Sequence, residues 1–153
     1  TSRDALLALG LGLAPRVAVV FGRRWADDDP GGLGPSKCTA AVINESEFAA
    51  RDLHLRVRFA DGRVVSEDIA SLAPAGDGRV VNEGAERRFA LRDVPAGGFP
   101  RREIPQEAEL RYSDERRVYQ HSQRWLFASH PHGDIVQSVT AVPDGPPGRH
   151  PIR

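Results

Sequence analysis

The residues of this chain whose types and spacing come nearest to a metal site are His130-Pro131-His132-Gly133-Asp134. Two imidazoles at alternate positions leave an extended backbone on one side, and a carboxylate just past a glycine can turn back toward them. Histidine nitrogen and carboxylate oxygen are donors that zinc takes, and a zinc-bound water is a ready nucleophile at neutral pH. His130, His132 and Asp134 are therefore the candidate ligands, zinc is the candidate cofactor, and metal binding or metal-dependent hydrolysis is the chemistry that would follow. The competing expectation is a Pro/Gly turn carrying exposed histidines. A second cluster is aromatic and cationic: Tyr112, Tyr119 and Trp125 interleave with Arg111, Arg116 and Arg124. Aromatics and arginine dominate interface hot spots, so Tyr112, Arg116, Tyr119, Arg124 and Trp125 are the expected partner-binding residues. The alternative places Trp125 and one tyrosine in the core.

Other reaction chemistry finds no footing. There is no GxSxG elbow, and Cys38 lies inside SKCTAAVIN, which reads as a buried strand where a thiol is an inert small hydrophobe. Gly31-Gly32-Leu33-Gly34 is followed by neither Lys-Ser/Thr nor a helix start, so it builds no phosphate cradle. The triplet Asp27-Asp28-Asp29 is read as solvated loop, because adjacent carboxylates do not converge on calcium as alternate loop positions do. An enzyme is not the expectation.

At 153 residues and 16.7 kDa the chain suits one domain. Its 21 basic and 21 acidic side chains cancel, which removes the electrostatic footprint of a nucleic-acid binder. Lys37 is the only lysine, and arginine pairs stand at Arg23-Arg24, Arg87-Arg88, Arg101-Arg102 and Arg116-Arg117. With acidic residues near each pair, these read as solvated faces. Cys38 is unpaired, so no intrachain disulfide forms; this is compatible with a cytoplasmic or other reducing setting. The chain contains no methionine and starts at Thr1, which fits either a trimmed protein or a domain of a longer one.

The positioning elements are strands. In residues 53–69 (LHLRVRFADGRVVSEDI), Leu53, Leu55, Val57 and Phe59 alternate with His54, Arg56, Arg58 and Ala60, the period of a strand with one dry face. Asp61-Gly62 then predicts a tight hairpin turn with positive φ at both central residues. The wet face of this hairpin has no acid-base or metal partner nearby in sequence, so its expected role is scaffold. Further strands are expected at 17–21, at 36–44 with small residues on both faces, at 86–94 with Phe89 and Leu91 buried, at 108–113, 118–127 and 135–142. Residues 22–35, 71–78, 95–105 and the HPHGD segment are expected to be loops, the proline-rich 95–105 stretch running over the surface. A short helix is expected within 1–10, capped by Thr1 or Ser2 and closed at Gly10. The apolar run 5–21 raises a membrane reading, but Pro15-Arg16 interrupts it and marks a strand start. The expected organisation is an N-terminal helix or extension over 1–14, a β-domain over 15–142 and a flexible tail over 143–153.

CTAAVIN, LHLRVRFADGRVV and AELRYSDERRVYQHSQRWLF, within residues 15–142, together resemble an immunoglobulin-like or fibronectin type III-like β-sandwich. The resemblance implies an all-β, antiparallel sandwich of about seven to nine strands. It is one of architecture: Cys38 has no second cysteine to bridge, and no functional residue is carried over. Separately, HPHGD is similar to the opening of the HxHxDH signature of the metallo-β-lactamase superfamily, with Ile135 standing where that signature ends in histidine. The first functional expectation is a non-catalytic interaction or structural module with a protein partner. The alternatives are a small metal protein using the HPHGD segment, and the soluble domain of a membrane-anchored protein whose N-terminus lies near the bilayer.

Overall fold

A computed structural model describes residues 16–25, 36–76, 82–95 and 97–153. The described chain is all-β. Its strands are β1 (Val17–Trp25), β2 (Ser36–Asn44), β3 (Ala50–Phe59), β4 (Val64–Leu72), β5 (Glu86–Val94), β6 (Phe99–Pro100), β7 (Pro105–Ser113), β8 (Tyr119–His132), β9 (Ile135–Pro143) and β10 (Gly148–Pro151). Single 3-10 turns at Glu83–Ala85 and Arg101–Glu103 are the helical elements among these residues. The helix expected within 1–10 and most of the loop expected over 22–35 lie outside the described residues, as do residues 77–81; residues 22–25 of that expected loop instead continue β1, paired from Gly22↔Thr39 to Trp25↔Ser36. No described helix is long and apolar enough to cross a membrane.

The strands form two antiparallel sheets. One holds β1-β2-β5; the other runs β4-β3-β7-β8-β9-β6, with β10 also paired to β8. The alternation seen in the sequence sets the inner faces. Cys38, Ala40 and Val42 from β2 and Leu91 and Val94 from β5 meet Leu53, Leu55, Val57 and Phe59 from β3, and Ala108, Leu110 and Trp125 from β7 and β8, in one core. Phe21 of β1 bridges the layers, its ring edge-on to Trp125 at 5.9 Å and to Phe127 at 4.9 Å. β2 is central in its sheet, but only its Cys38–Val42 side is buried; Thr39, Ala41 and Ile43 are half-exposed. Phe89 is likewise half-exposed, and Val94 joins Leu91 inside.

Several local expectations are corrected. The β3–β4 turn is wider than a two-residue primed turn: Gly62 N–H donates to Phe59 O, Phe59 N–H donates to Arg63 O, and of the central pair only Gly62 has positive φ, at 89°. That is a three-residue connection, in which glycine alone must take the left-handed conformation. The 95–105 stretch is no mere surface connection. β6 pairs with β9 through Phe99↔Val136, which puts the Phe99 ring into the core at 3% exposure. A β-carbon at Gly98 would stand 2.7 Å from both Val136 O and Ile135 Cγ2, so the close approach needs glycine. Residues 148–151, expected within a flexible tail, pair with β8 from Gly148↔Ser122 to Pro151↔Tyr119. Their backbone supplies a ladder although their side chains bury little.

Two polar residues fasten the ends of strands. Asn44, 1% exposed, donates from Nδ2 to Phe48 O and Ala73 O, while its Oδ1 accepts from Ser46 N–H and Oγ–H. Asp114, in the β7–β8 turn, accepts from the N–H groups of Val118 and Tyr119. In the same turn Arg117 takes a positive φ of 58°, and its Nε donates to Asp52 at 2.8 Å; Asp52 has a positive φ of 52° at the irregularity in β3.

Candidate functional site

The side chains of β3, β7 and β8 that face away from the core form a grid of charge. Register pairs Arg58 with Glu107 and Arg56 with Glu109 across β3–β7, then Glu107 with Leu126 and Glu109 with Arg124 across β7–β8. Glu107 is the hub: Arg124 lies 3.2 Å, Arg58 3.4 Å and Arg56 3.8 Å from its carboxylate. The hydrogen bond from Arg58, with the other guanidinium charges, holds its pKa below the usual glutamate value. Glu109 engages Arg111 at 3.0 Å, and at the β4 margin His54 Nδ1 meets Asp68 at 2.6 Å. Beside this field lie Leu126 and its β9 partner Val142, 47% and 48% exposed.

The expected partner cluster is divided between the two faces of the sheet. Trp125 and Tyr112, each 8% exposed, belong to the core. Tyr119 is half-buried beneath the Arg149 guanidinium, which sits 4.2 Å from its ring centroid. Arg124 alone joins the outward grid; Arg116 is exposed in the β7–β8 turn. The outward grid is the cluster that sequence reasoning missed. Arg56 and Arg58 read as an isolated wet face because their acidic partners come from a distant strand, and only the period-two alternation of Glu107 and Glu109 hinted at them.

The HPHGD segment is no loop at its start. β8 continues through His132, paired with Ile135, and the reversal is confined to Gly133 and Asp134. A register shift between Ser129 and Pro131 absorbs the proline, which has no N–H for the ladder. His130 and Asp134 are exposed, while the His132 side chain lies outside the described part of the structure. Among the described residues no group of three or more His, Cys, Asp or Glu side chains is placed to hold a metal ion.

Inside the molecule two further clusters hold titratable groups. A register shift opposite Cys38/Thr39 turns consecutive residues Leu91 and Arg92 inward. The Arg92 side chain is only 10% exposed; it pairs with Asp61 and with Glu103, and lies 5.0 Å over the Phe59 ring. Its hydrogen bond lowers the Asp61 carboxyl to about 2. Cys38 is the cross-strand partner of Arg92, and burial pushes its thiol up to about 11, which leaves it a protonated, unreactive group. Cys38 also borders a cavity of about 210 Å³ between the sheets, lined mainly by Phe21, Phe99, Phe127 and Val139. This is small for a ligand pocket.

The second cluster centres on His121, 5% exposed and stacked on Tyr112 at 5.2 Å. Burial lowers its pKa from 6.5, Arg149 lowers it further and Asp114 opposes both. The folded protein thus refuses a proton that the unfolded chain accepts. Stability is full above the ordinary histidine value and falls as pH drops through 6.5 toward the lower folded-state value. Urea unfolding between neutral pH and pH 5 is expected to show this slope, and His121→Phe, which keeps the stacked ring, is expected to flatten it by up to about 1.4 kcal/mol per pH unit.

No protein family matches the chain, and no curated protein matches it at a significant level. The site is therefore defined by its own geometry.

Proposed function

We propose that this chain is a non-catalytic, immunoglobulin-like β-sandwich that serves as an interaction module of a larger system. The strand order supports the fold reading: β1, β2 and β5 share one sheet while β3, β7 and β8 are neighbours in the other, as the corresponding strands are in such domains. The placement of β4 beside β3 favours the fibronectin type III-like variant, with β6, β9 and β10 as additions. The observation that carries the functional reading is the outward face of β3-β7-β8-β9, where arginines held around Glu107 adjoin the exposed pair Leu126–Val142. Arginine with a neighbouring apolar patch is the composition of a contact surface.

Site-specific photo-crosslinking in the native host tests this. A photoreactive residue at Leu126 is expected to give a discrete protein adduct, while one at Ala90, on the opposite sheet, is expected to give none. Equal labelling from both positions, or none from Leu126, would remove the assignment.

A further inference from the structure

The arginine grid also carries information about what it binds. We infer that the outward face of β3-β7-β8 takes an acidic polypeptide segment with interspersed apolar side chains; this rests on the interaction-module reading and names the chemistry of its partner.

At the centre of the face stand four arginines, Arg56, Arg58, Arg111 and Arg124, against two glutamates, Glu107 and Glu109, on a chain whose net charge is zero. The side chains of the three arginines around Glu107 are 44%, 38% and 50% exposed, so they are wet and within reach of a partner. A guanidinium presents five N–H donors in a rigid fork, whereas one carboxylate offers about four lone-pair sites. Three such forks sharing Glu107 therefore keep most of their donors for other acceptors. Glu107 holds the forks in place, as an internal stand-in for the carboxylates of a ligand. It also competes with a ligand's carboxylates for those forks, so removing its charge frees them.

The geometry selects among anions. One cross-strand row reads Arg58, Glu107, Leu126, Val142, and the next reads Arg56, Glu109, Arg124. Arg56 and Arg124 are two strands apart, about 10 Å at ordinary sheet spacing. A segment laid across the strands sets carboxylates on Arg56 and Arg124 and an apolar side chain over Leu126 and Val142. A duplex nucleic acid turns phosphate and sugar, not apolar side chains, toward that pair, and its dense phosphate charge would meet Glu107 and Glu109 as well as the arginines.

The test is fluorescence anisotropy with a short labelled peptide in which Glu and Leu alternate. Its Lys-for-Glu counterpart, an oligothymidine strand and phosphatidylserine vesicles serve as rival probes. The acidic peptide is expected to bind, more weakly at higher salt. Arg56→Gln/Arg124→Gln is expected to weaken it about tenfold or more, and Leu126→Ser about threefold. Glu107→Gln releases three guanidiniums and is expected to tighten it about threefold or more; a purely structural role for Glu107 would not. Preference for the lysine peptide, the oligonucleotide or the vesicles overturns the inference, as does unchanged binding in arginine variants that keep the native unfolding midpoint. The two readings separate in cells. A Leu126 adduct that survives Arg56→Gln/Arg124→Gln leaves an interaction module whose partner is not acidic, while loss of any Leu126 adduct in the unaltered face removes the module itself.

Discussion

Phe59→Ala is expected to lower the unfolding free energy by about 3–5 kcal/mol, read as a shifted urea midpoint with little change in slope. Phe59 is fully buried at the end of β3, where it closes the hairpin, and it forms the apolar underside of the Arg92 guanidinium. Its removal opens a cavity among residues fixed by both sheets, and it exposes a buried cation to a void. The surroundings cannot collapse easily, because Val57 and Val94 are held in ladders of their own. A loss under about 1 kcal/mol would mean that the two sheets are not packed through this residue.

Asn44→Ala is expected to cost about 2–4 kcal/mol although it removes no apolar packing of consequence. The side chain satisfies two backbone carbonyls, Phe48 O and Ala73 O, that belong to the β2–β3 connection and to the segment after β4. Alanine leaves both without these donors. Asn44→Asp has nearly the same shape but turns an acceptor toward each carbonyl, so it is expected to be no better than alanine. Equilibrium unfolding of the two variants side by side separates the hydrogen-bond contribution from the volume contribution. If Asn44→Asp instead matched the unaltered protein, the fastening role of Asn44 would be wrong.

What the sequence disclosed depended on range. Strands at 36–44 and 86–94 and the hairpin around Asp61-Gly62 rest on alternation and turn residues within a short window, and the structure places them there. Arg92 shows the limit of that window. Beside an inward Leu91 it should face solvent, yet β5 carries one extra residue where Arg92 and Ala90 pair with the consecutive Cys38 and Thr39, and that bulge, visible only once the two strands are paired, turns it inside. The prolines and glycines of 95–105 correctly rule out a central strand but say nothing of Phe99, which is buried by the β9 edge it meets. The candidate surface was half legible. Arg56, Arg58 and Arg124 were visible as outward residues, while their convergence on Glu107 depends on the order β3-β7-β8, which no local pattern encodes. Tyr112 and Trp125 lie in the core, as the alternative expectation for Trp125 and one tyrosine has it, because a residue type favoured at interfaces is favoured in cores for the same apolar area.

The pairing of β10 with β8 has a consequence for solubility. β9 covers one edge of β8 only from Trp125 onward, which would leave the backbone groups of 119–122 open to another chain. β10 occupies that stretch, and the edge it presents in exchange is four residues long, carries Arg149, and ends in Pro151, which has no N–H to offer. Short length, charge and proline are the devices that keep a sheet edge from recruiting further strands. The C-terminal residues, plain in composition and poor in buried area, thus act as a stopper against edge-to-edge aggregation.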